Sequence, residues 1–524
     1  MWAAIGFAAF VGIVFFLIWW TTSPGLRDRT ASAPPARSAV PSRVEFTLPR
    51  GGSITGSLPA GIDRQDAIGL LTGAPLVRVN RSTDQVEPWL AESFTASQNN
   101  LVYTIKLRPN VVRADGSGLV AADVASFLSA RPPAIAGVPV AVRAIDPLTL
   151  EMTFPSAFAP ALRVLDSVAI PGCGPFVLKE QTPGGRLTFA RNVHYWRQAP
   201  DGKPLPYLDG LVLETGAARP AELDFNENIR PSEYRALRKA DDAGKLRLYD
   251  LGPGLDADAL WMNLSAAPKK AAKPWLHTAA FRQAISAAID RRLYCDDVFA
   301  GMCDPIRGPV TPGSVAWFMP DLPSAHDPGL ARTTLAGLGL QDRNRDQMLD
   351  DEQGRPARFA VLVPRGTETI ARGAVYLRDE LKKVGVAVDL TALDPAALRS
   401  RWQKGEYEAI YDRIQVTDTD PAMNLDFWLS SGSRHVWNPR QMKPATDWEA
   451  QIDQLMMKHA AAFDRVERVQ LFANAQRVFD SHLPAIYFGA PYVYVATSMR
   501  VLNARPTTQR PALLRNADEL AATK

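Results

Sequence analysis

The chain opens on a run with no charged residue and no proline, MWAAIGFAAFVGIVFFLIWW, Met1–Trp20. As a helix rising about 1.5 Å per residue, such a run spans roughly 30 Å, the thickness of a bilayer core. Trp19 and Trp20 close it, where aromatic rings favour the membrane–water interface. The pattern predicts one N-terminal transmembrane helix. A cleavable signal peptide is the other reading, but it asks for a basic residue before the run and a small-x-small site after it. Neither is present in the exit WWTTSPG. Residues 21–43, rich in Ser, Thr, Ala, Pro and Arg, read as a flexible linker.

Past the linker the hydrophobic positions alternate in short stretches, which predicts strands at Val44–Leu48, Leu101–Leu107, Leu148–Phe154, Arg186–Ala190 and Leu211–Glu214. Helices are fewer here, at Asp123–Ala130 and Pro231–Ala240. From about residue 275 the period changes. Phe281, Ala284, Ile285, Ala288, Ile289 and Leu293 fall on one helical stripe. Then come a strand at Phe359–Val363, a helix at Glu368–Val384 stopped by Gly385, and a strand at Val386–Leu390. Asp394 and Pro395 start another helix, and Tyr407–Tyr411 is a further strand. This order predicts a parallel sheet with right-handed crossovers, with ligand bound at the carboxyl ends of its strands.

At 524 residues the chain is long for one simple domain. A net charge of +4 is small for that length and gives no argument for nucleic acid. Cys295 and Cys303 lie close in sequence, and Cys173 stands apart. In an oxidising compartment the close pair can form a short clip worth about 2–3 kcal/mol; otherwise both are packed thiols. No Gly-x-Ser-x-Gly, Walker or His-Glu-x-x-His motif occurs, and no two of the six histidines sit at metal-ligand spacing. The sequence therefore gives no argument for an enzyme or for a cofactor. One acidic loop has oxygen ligands at calcium-type spacing: Asp342, Asn344, Asp346 and Asp350. Gln347 and Gln353 stand where such loops carry Gly and Glu, so a solvated turn is the competing reading.

Ordered short motifs carry a resemblance. Pro88-Trp-Leu-Ala-Glu-Ser-Phe94 with Leu101-Val-Tyr-Thr-Ile-Lys-Leu-Arg-Pro109 resembles "PWLAESW…YTFKLRPGV". Asp115-Gly116 through Asp123-Val124 resembles "DGTPLTAEDV". Gly174-Pro-Phe-Val-Leu178, Arg191-Asn192, Tyr195-Trp196 and Pro206-Tyr-Leu-Asp209 resemble "GPY…RNPDYW…PYLD". Phe281-Arg-Gln-Ala-Ile-Ser-Ala-Ala-Ile-Asp290 resembles "VRQALNYAIDR", and Asp420-Pro421, Trp437-Asn-Pro439, Glu467-Arg468 and Leu483-Pro484 follow in order. Together these resemble the extracytoplasmic solute-binding proteins of family 5, the dipeptide/oligopeptide type. Val120 and Ala122 depart from the pattern, leaving only Asp123 to face the dipole of its helix. The stretches Val44–Asn80 and Leu165–Gly172 are short for that family.

The resemblance implies a two-lobed α/β fold of the periplasmic-binding-protein kind (class II, large peptide-binding type) with an extra subdomain. It places a first lobe at 44–255 with a subdomain near 63–163, a second lobe at 256–482, and a return to the first lobe at 483–524. Crossings are expected near Gly254–Asn263 and Leu483–Ala496. It also implies a monomer that captures a peptide or peptide-like solute between its lobes and presents it to the permease of an ABC importer. The protein would be anchored to a bacterial inner membrane and face the periplasm or extracellular side. Arg27, Arg29, Arg37 and Arg43 oppose that orientation by the positive-inside rule, but long domains translocate largely regardless of flanking charge. Two other readings stay open: a binding module or sensor without transport, and a repurposed relative without a small solute.

Peptide-binding relatives use an aspartate ahead of the Asp-Pro pair for the ligand's amino terminus. Asp418 is the match here, one residue closer to Pro421 than in typical dipeptide binders. Asp418 and Asp420 as caps of the following helix is the alternative. Trp261, Asn263, Trp428 and Trp437 are candidate cleft residues, and Arg282 is expected to form a structural ion pair.

Overall fold

Ala485–Ser498 is a strand of fourteen residues, most of them buried. Alternation cannot explain so long an apolar run; a strand covered on both faces can. Its first part, Ala485–Gly489, pairs antiparallel with Ala257–Met262. Its last part, Tyr492–Ser498, pairs antiparallel with Leu246–Pro253. The strand thus belongs to two lobes at once. The chain crosses between them a second time through Gly254–Asp256, the link from Leu246–Pro253 to Ala257–Met262.

The computed structural model describes residues 48–523, apart from 132–133, 136–137, 216–222, 266–272 and 323–325. The predicted anchor Met1–Trp20, the linker and most of the strand expected at Val44–Leu48 lie outside these residues. Among the described residues no helix is long and apolar enough to cross a membrane. Pro49 onward forms one compact unit.

A 12-stranded sheet runs through that unit. On the first-lobe side its order is Phe176–Gln181, Leu187–Arg191, Gly210–Glu214, Ser53–Ser57 and Phe225–Asn226, ending on the shared strand. On the second-lobe side follow Ala257–Met262, Ala409–Ile414, Arg358–Pro364 and Ala387–Leu393. The last three are mutually parallel, with helices Glu368–Lys383 and Pro395–Lys404 as crossovers, as the periodicity predicts. Gly385 at φ +82° takes the left-handed position that ends the first of these helices. The subdomain is a four-stranded antiparallel sheet of Ala91–Ala96, Val102–Leu107, Thr149–Thr153 and Ala141–Asp146, joined by helix Ala121–Ala130. Asp123, in the first turn of that uncapped helix, pairs with Arg113 at 3.0 Å. One buried cluster runs from Ile105, Leu128 and Leu150 of the subdomain to Trp428, Trp437 and Phe479 of the second lobe.

Three local expectations need correction. The stripe from Phe281 to Leu293 is two helices, Ala279–Ala288 and Arg291–Phe299. Asp290 caps the second by accepting from the N–H groups of Arg292 and Leu293, and this leaves Leu293 exposed. Asp394 sits at the helix start without accepting a capping hydrogen bond; its carboxylate lies 3.6 Å from Arg365. Arg282 has no carboxylate partner. It donates to the carbonyls of His277, His482 and Leu483, satisfying acceptors left over at a helix end. Burial pushes its pKa down to about 10.

Cys295 and Cys303 form a disulfide, and Cys173 is free and buried. The bridge ties helix Arg291–Phe299 to the short strand Cys303–Pro305, which pairs with Gly489–Pro491 at the crossing. A Cβ on Gly489 would lie 2.3 Å from Cys303 Sγ, so only glycine lets the shared strand pass this close. Replacing both cysteines by alanine is expected to lower the unfolding free energy by about 2–3 kcal/mol on the loop-entropy model, measured by urea titration.

Candidate functional site

The parallel strands of the second lobe end at Pro364 and Ile414. The loops that follow them, Gly366–Thr369 and Val416, line a cavity of about 330 Å³. Pro59, Ala60, Glu227 and Arg510 of the first lobe form the opposite wall, and Gly254–Asp256 and Pro491–Tyr494 form the back. The chamber therefore lies between the lobes, where the chain crosses, at the carboxyl ends of the strands. Its volume falls in the range of small-molecule sites.

The polar groups around it are held in place. Asp256 pairs with Arg510 and accepts from Val416 N at 3.1 Å. Arg413 donates to the fully buried Asp258 at 2.7 and 3.3 Å. Tyr294 donates to the same carboxylate at 2.7 Å and meets Tyr411 Oη at 2.6 Å. Glu227 accepts from the N–H groups of Ala512 and Leu513, at 2.6 and 3.0 Å. Burial nevertheless raises its pKa, because those bonds replace water only in part.

A second, smaller cavity of about 40 Å³ adjoins the first, sharing Leu255 and Val416 in its wall. Trp317, Phe427, Trp428 and Phe472 make its aromatic side, and Asp418 and Thr419 its polar side. Of the residues anticipated from sequence, only Asp418 and Trp428 meet here. Asp418 is engaged by Arg163, from the 3-10 turn Ala161–Ser167 of the first lobe. Arg163 escaped the sequence reading, although a lone arginine within Phe158–Leu165 signals a buried charge in need of a partner.

The other anticipated residues lie elsewhere. Asp420 caps the turn Pro421–Asn424 and takes both ends of the Arg468 guanidinium, at 2.9 and 2.6 Å. Burial alone would raise its pKa, but His459 and Arg468 outweigh burial and hold it well below the carboxylate range. Asn263 donates to the carbonyls of Gly405 and Tyr407, at 2.9 and 3.0 Å. Trp261 and Trp437 are buried in the core and line neither cavity. In the acidic loop, Asp342 accepts from Arg345 N and Gln347 N, Asn344 from Asp346 N, and Asp346 from Met348 N. Asp350 is buried, with its backbone paired to Gln341. Among the described residues no three His, Cys, Asp or Glu side chains gather as a metal site.

Two α/β lobes, a double crossing and an interlobe chamber define the class of two-lobed solute-binding folds. The chain belongs to the bacterial extracellular solute-binding proteins, family 5, whose model matches residues 85–435. It is 22% identical over 505 residues to the "Probable ABC transporter-binding protein" of Deinococcus radiodurans, covering 82% of this chain and 84% of that one. It is 24% identical over 448 residues to the "Probable D,D-dipeptide-binding periplasmic protein DdpA" of Escherichia coli K12, covering 79% of each. The structure of the oligopeptide-binding protein AppA of Bacillus subtilis, in complex with a nonapeptide, superposes with a TM-score of 0.73. Its sequence is 20% identical, and the match covers 91% of this chain and all of that one (100%).

Depressed carboxylates predict acid sensitivity. Burial opposes ionisation of Glu449, but His435, 3.5 Å away, and a hydrogen bond from the Thr446 hydroxyl prevail and lower its pKa to about 2. For Asp420 and Glu449 the folded values lie below the unfolded ones. The stability they add is complete above about pH 4.5 and is lost as pH falls toward the folded values. Asp420→Asn is expected to cost about 3–5 kcal/mol at pH 7 by stranding Arg468. It is also expected to flatten the loss between pH 4.5 and 2, as read by denaturant unfolding across that range.

Proposed function

We propose that this protein is an extracytoplasmic receptor that captures a peptide or peptide-like solute in the interlobe chamber and presents it to the permease of an ABC importer. The observation that carries this reading is the position of the 330 Å³ chamber, walled by both lobes and backed by both crossings. A solute there contacts both lobes only when they are closed, so binding shifts the population toward the closed form, which a permease can distinguish from the open one. Relatives whose names give D,D-dipeptides, glutathione or an ABC transporter support the solute class and the partner. Binding and release break no covalent bond, so the site needs complementarity rather than a catalytic acid and base. Met1–Trp20 holds the receptor at the membrane in this reading, and residues 21–43 let it reach the permease.

Mass spectrometry of the full chain purified in mild detergent is expected to show a co-purifying short peptide. Adding that peptide to stripped protein should raise the melting temperature, since it binds only the native state. Ala60→Trp, which fills the first-lobe wall of the chamber, should abolish the shift with little change in the unliganded melting temperature. A co-purifying compound unrelated to peptides would sink the proposed solute class. Fractionation tests the anchor separately: the full chain is expected in membranes, and a chain lacking Met1–Trp20 is not.

A further inference from the structure

A carboxylate in the wall of an interlobe cavity attracts a cation, and the cation at Asp418 comes from the opposite lobe of the same molecule. Arg163, whose side chain is only 6% exposed, donates to Asp418 Oδ1 from Nε at 3.1 Å and from Nη2 at 2.6 Å. The same guanidinium donates to Asp84 Oδ1 at 2.9 Å and to the Asp84 carbonyl at 3.2 Å. It also donates to Thr419 Oγ1 at 2.9 Å, and that hydroxyl donates back across the lobes to Asp84 Oδ1 at 2.7 Å. Close by, Ala159 N donates to the Ala460 carbonyl of the second lobe at 2.7 Å.

We infer that Arg163 takes the seat a solute's ammonium group would occupy at Asp418, so that it selects against solutes with a free amino terminus and latches the lobes when the chamber is empty. The inference rests on the receptor function proposed above. The space left beside the pair, about 40 Å³, is close to that of one or two water molecules and too small for an ammonium group with its chain. A solute cation can reach Asp418 only by expelling Arg163. That would leave a buried guanidinium with Asp84 alone, and breaking one partner from a buried pair is costly. A solute with an uncharged amino end meets no such penalty. It lies in the larger chamber with that end against the shared wall of Leu255 and Val416.

The test uses the full chain in detergent and two probes, trialanine and N-acetyl-trialanine, with Kd measured by calorimetry. Wild type is expected to bind the acetylated peptide at least tenfold more tightly. In Arg163→Met the free-amine peptide should gain at least tenfold and the preference should reverse. Adding Asp418→Asn to that variant should remove the gain. Arg163→Lys, which keeps the charge, should behave like wild type, and circular dichroism confirms that each variant is folded. Small-angle scattering of the solute-free protein gives a readout that needs no ligand: Arg163→Met should open the cleft and raise the radius of gyration. Wild type preferring trialanine, or Arg163→Met leaving the radius of gyration unchanged, overturns the inference. If neither peptide binds any variant, the proposed peptide function falls, and the radius of gyration alone decides the role of Arg163.

Discussion

Backbone polar groups that leave water must be paired, and the strand Ala485–Ser498 meets that requirement in two lobes at once. Its first part supplies hydrogen bonds to Ala257–Met262 and its last part to Leu246–Pro253, the two lying end to end along it. Between these stretches lie Gly489–Pro491, bonded to the disulfide-tied strand Cys303–Pro305. The lobes are thus not two beads on a string. They are two ends of one sheet, and the chamber exists because the sheet changes partners at the crossing. Tyr492 and Gly254, which line the chamber, come from the backbone that makes the change.

Burying charge is the second constraint, and the protein meets it by pairing within the chain. Asp258 is fully buried and is met by Arg413 and Tyr294. Asp420 is met by Arg468, and Arg291 by the carbonyls of Ser286, Ile306 and Tyr487. Each pair makes its surroundings rigid, because losing either partner strands the other. The pair of Arg163 and Asp418 follows the same rule across the two lobes.

The parallel unit of the second lobe is legible because its signals are local: Gly385 ends one helix, Pro395 starts the next, and the strand Arg358–Pro364 ahead of them is an apolar run. The double crossing was anticipated near Gly254 and Leu483 through the resemblance, since no local pattern shows that one strand serves two lobes. The break at Asp290 was misread because Leu293 continues the apolar stripe by spacing alone, while the aspartate's cap outweighs one exposed leucine. Asp418, which the resemblance offers as a partner for a ligand's amino terminus, lines the smaller cavity. Its partner Arg163 is not legible in the sequence, because 255 residues separate the two and only the tertiary fold joins them. Trp261 and Trp437 show the opposite error: aromatic residues near a crossing suit a pocket and a core equally well, and burial decides.

The shared strand also governs how the molecule can be made. It lies more than 400 residues after Ser53–Ser57, yet both belong to one sheet. Contacts so distant in sequence form late. A chain emerging N-terminus first has no complete lobe until Ala485–Ser498 arrives, because each lobe waits for the same strand. A chain truncated before Ala485 therefore exposes the edges of Leu246–Pro253 and Ala257–Met262 together, an invitation to aggregate rather than to bind. Both lobes therefore depend on one late segment for the pairing of their edges.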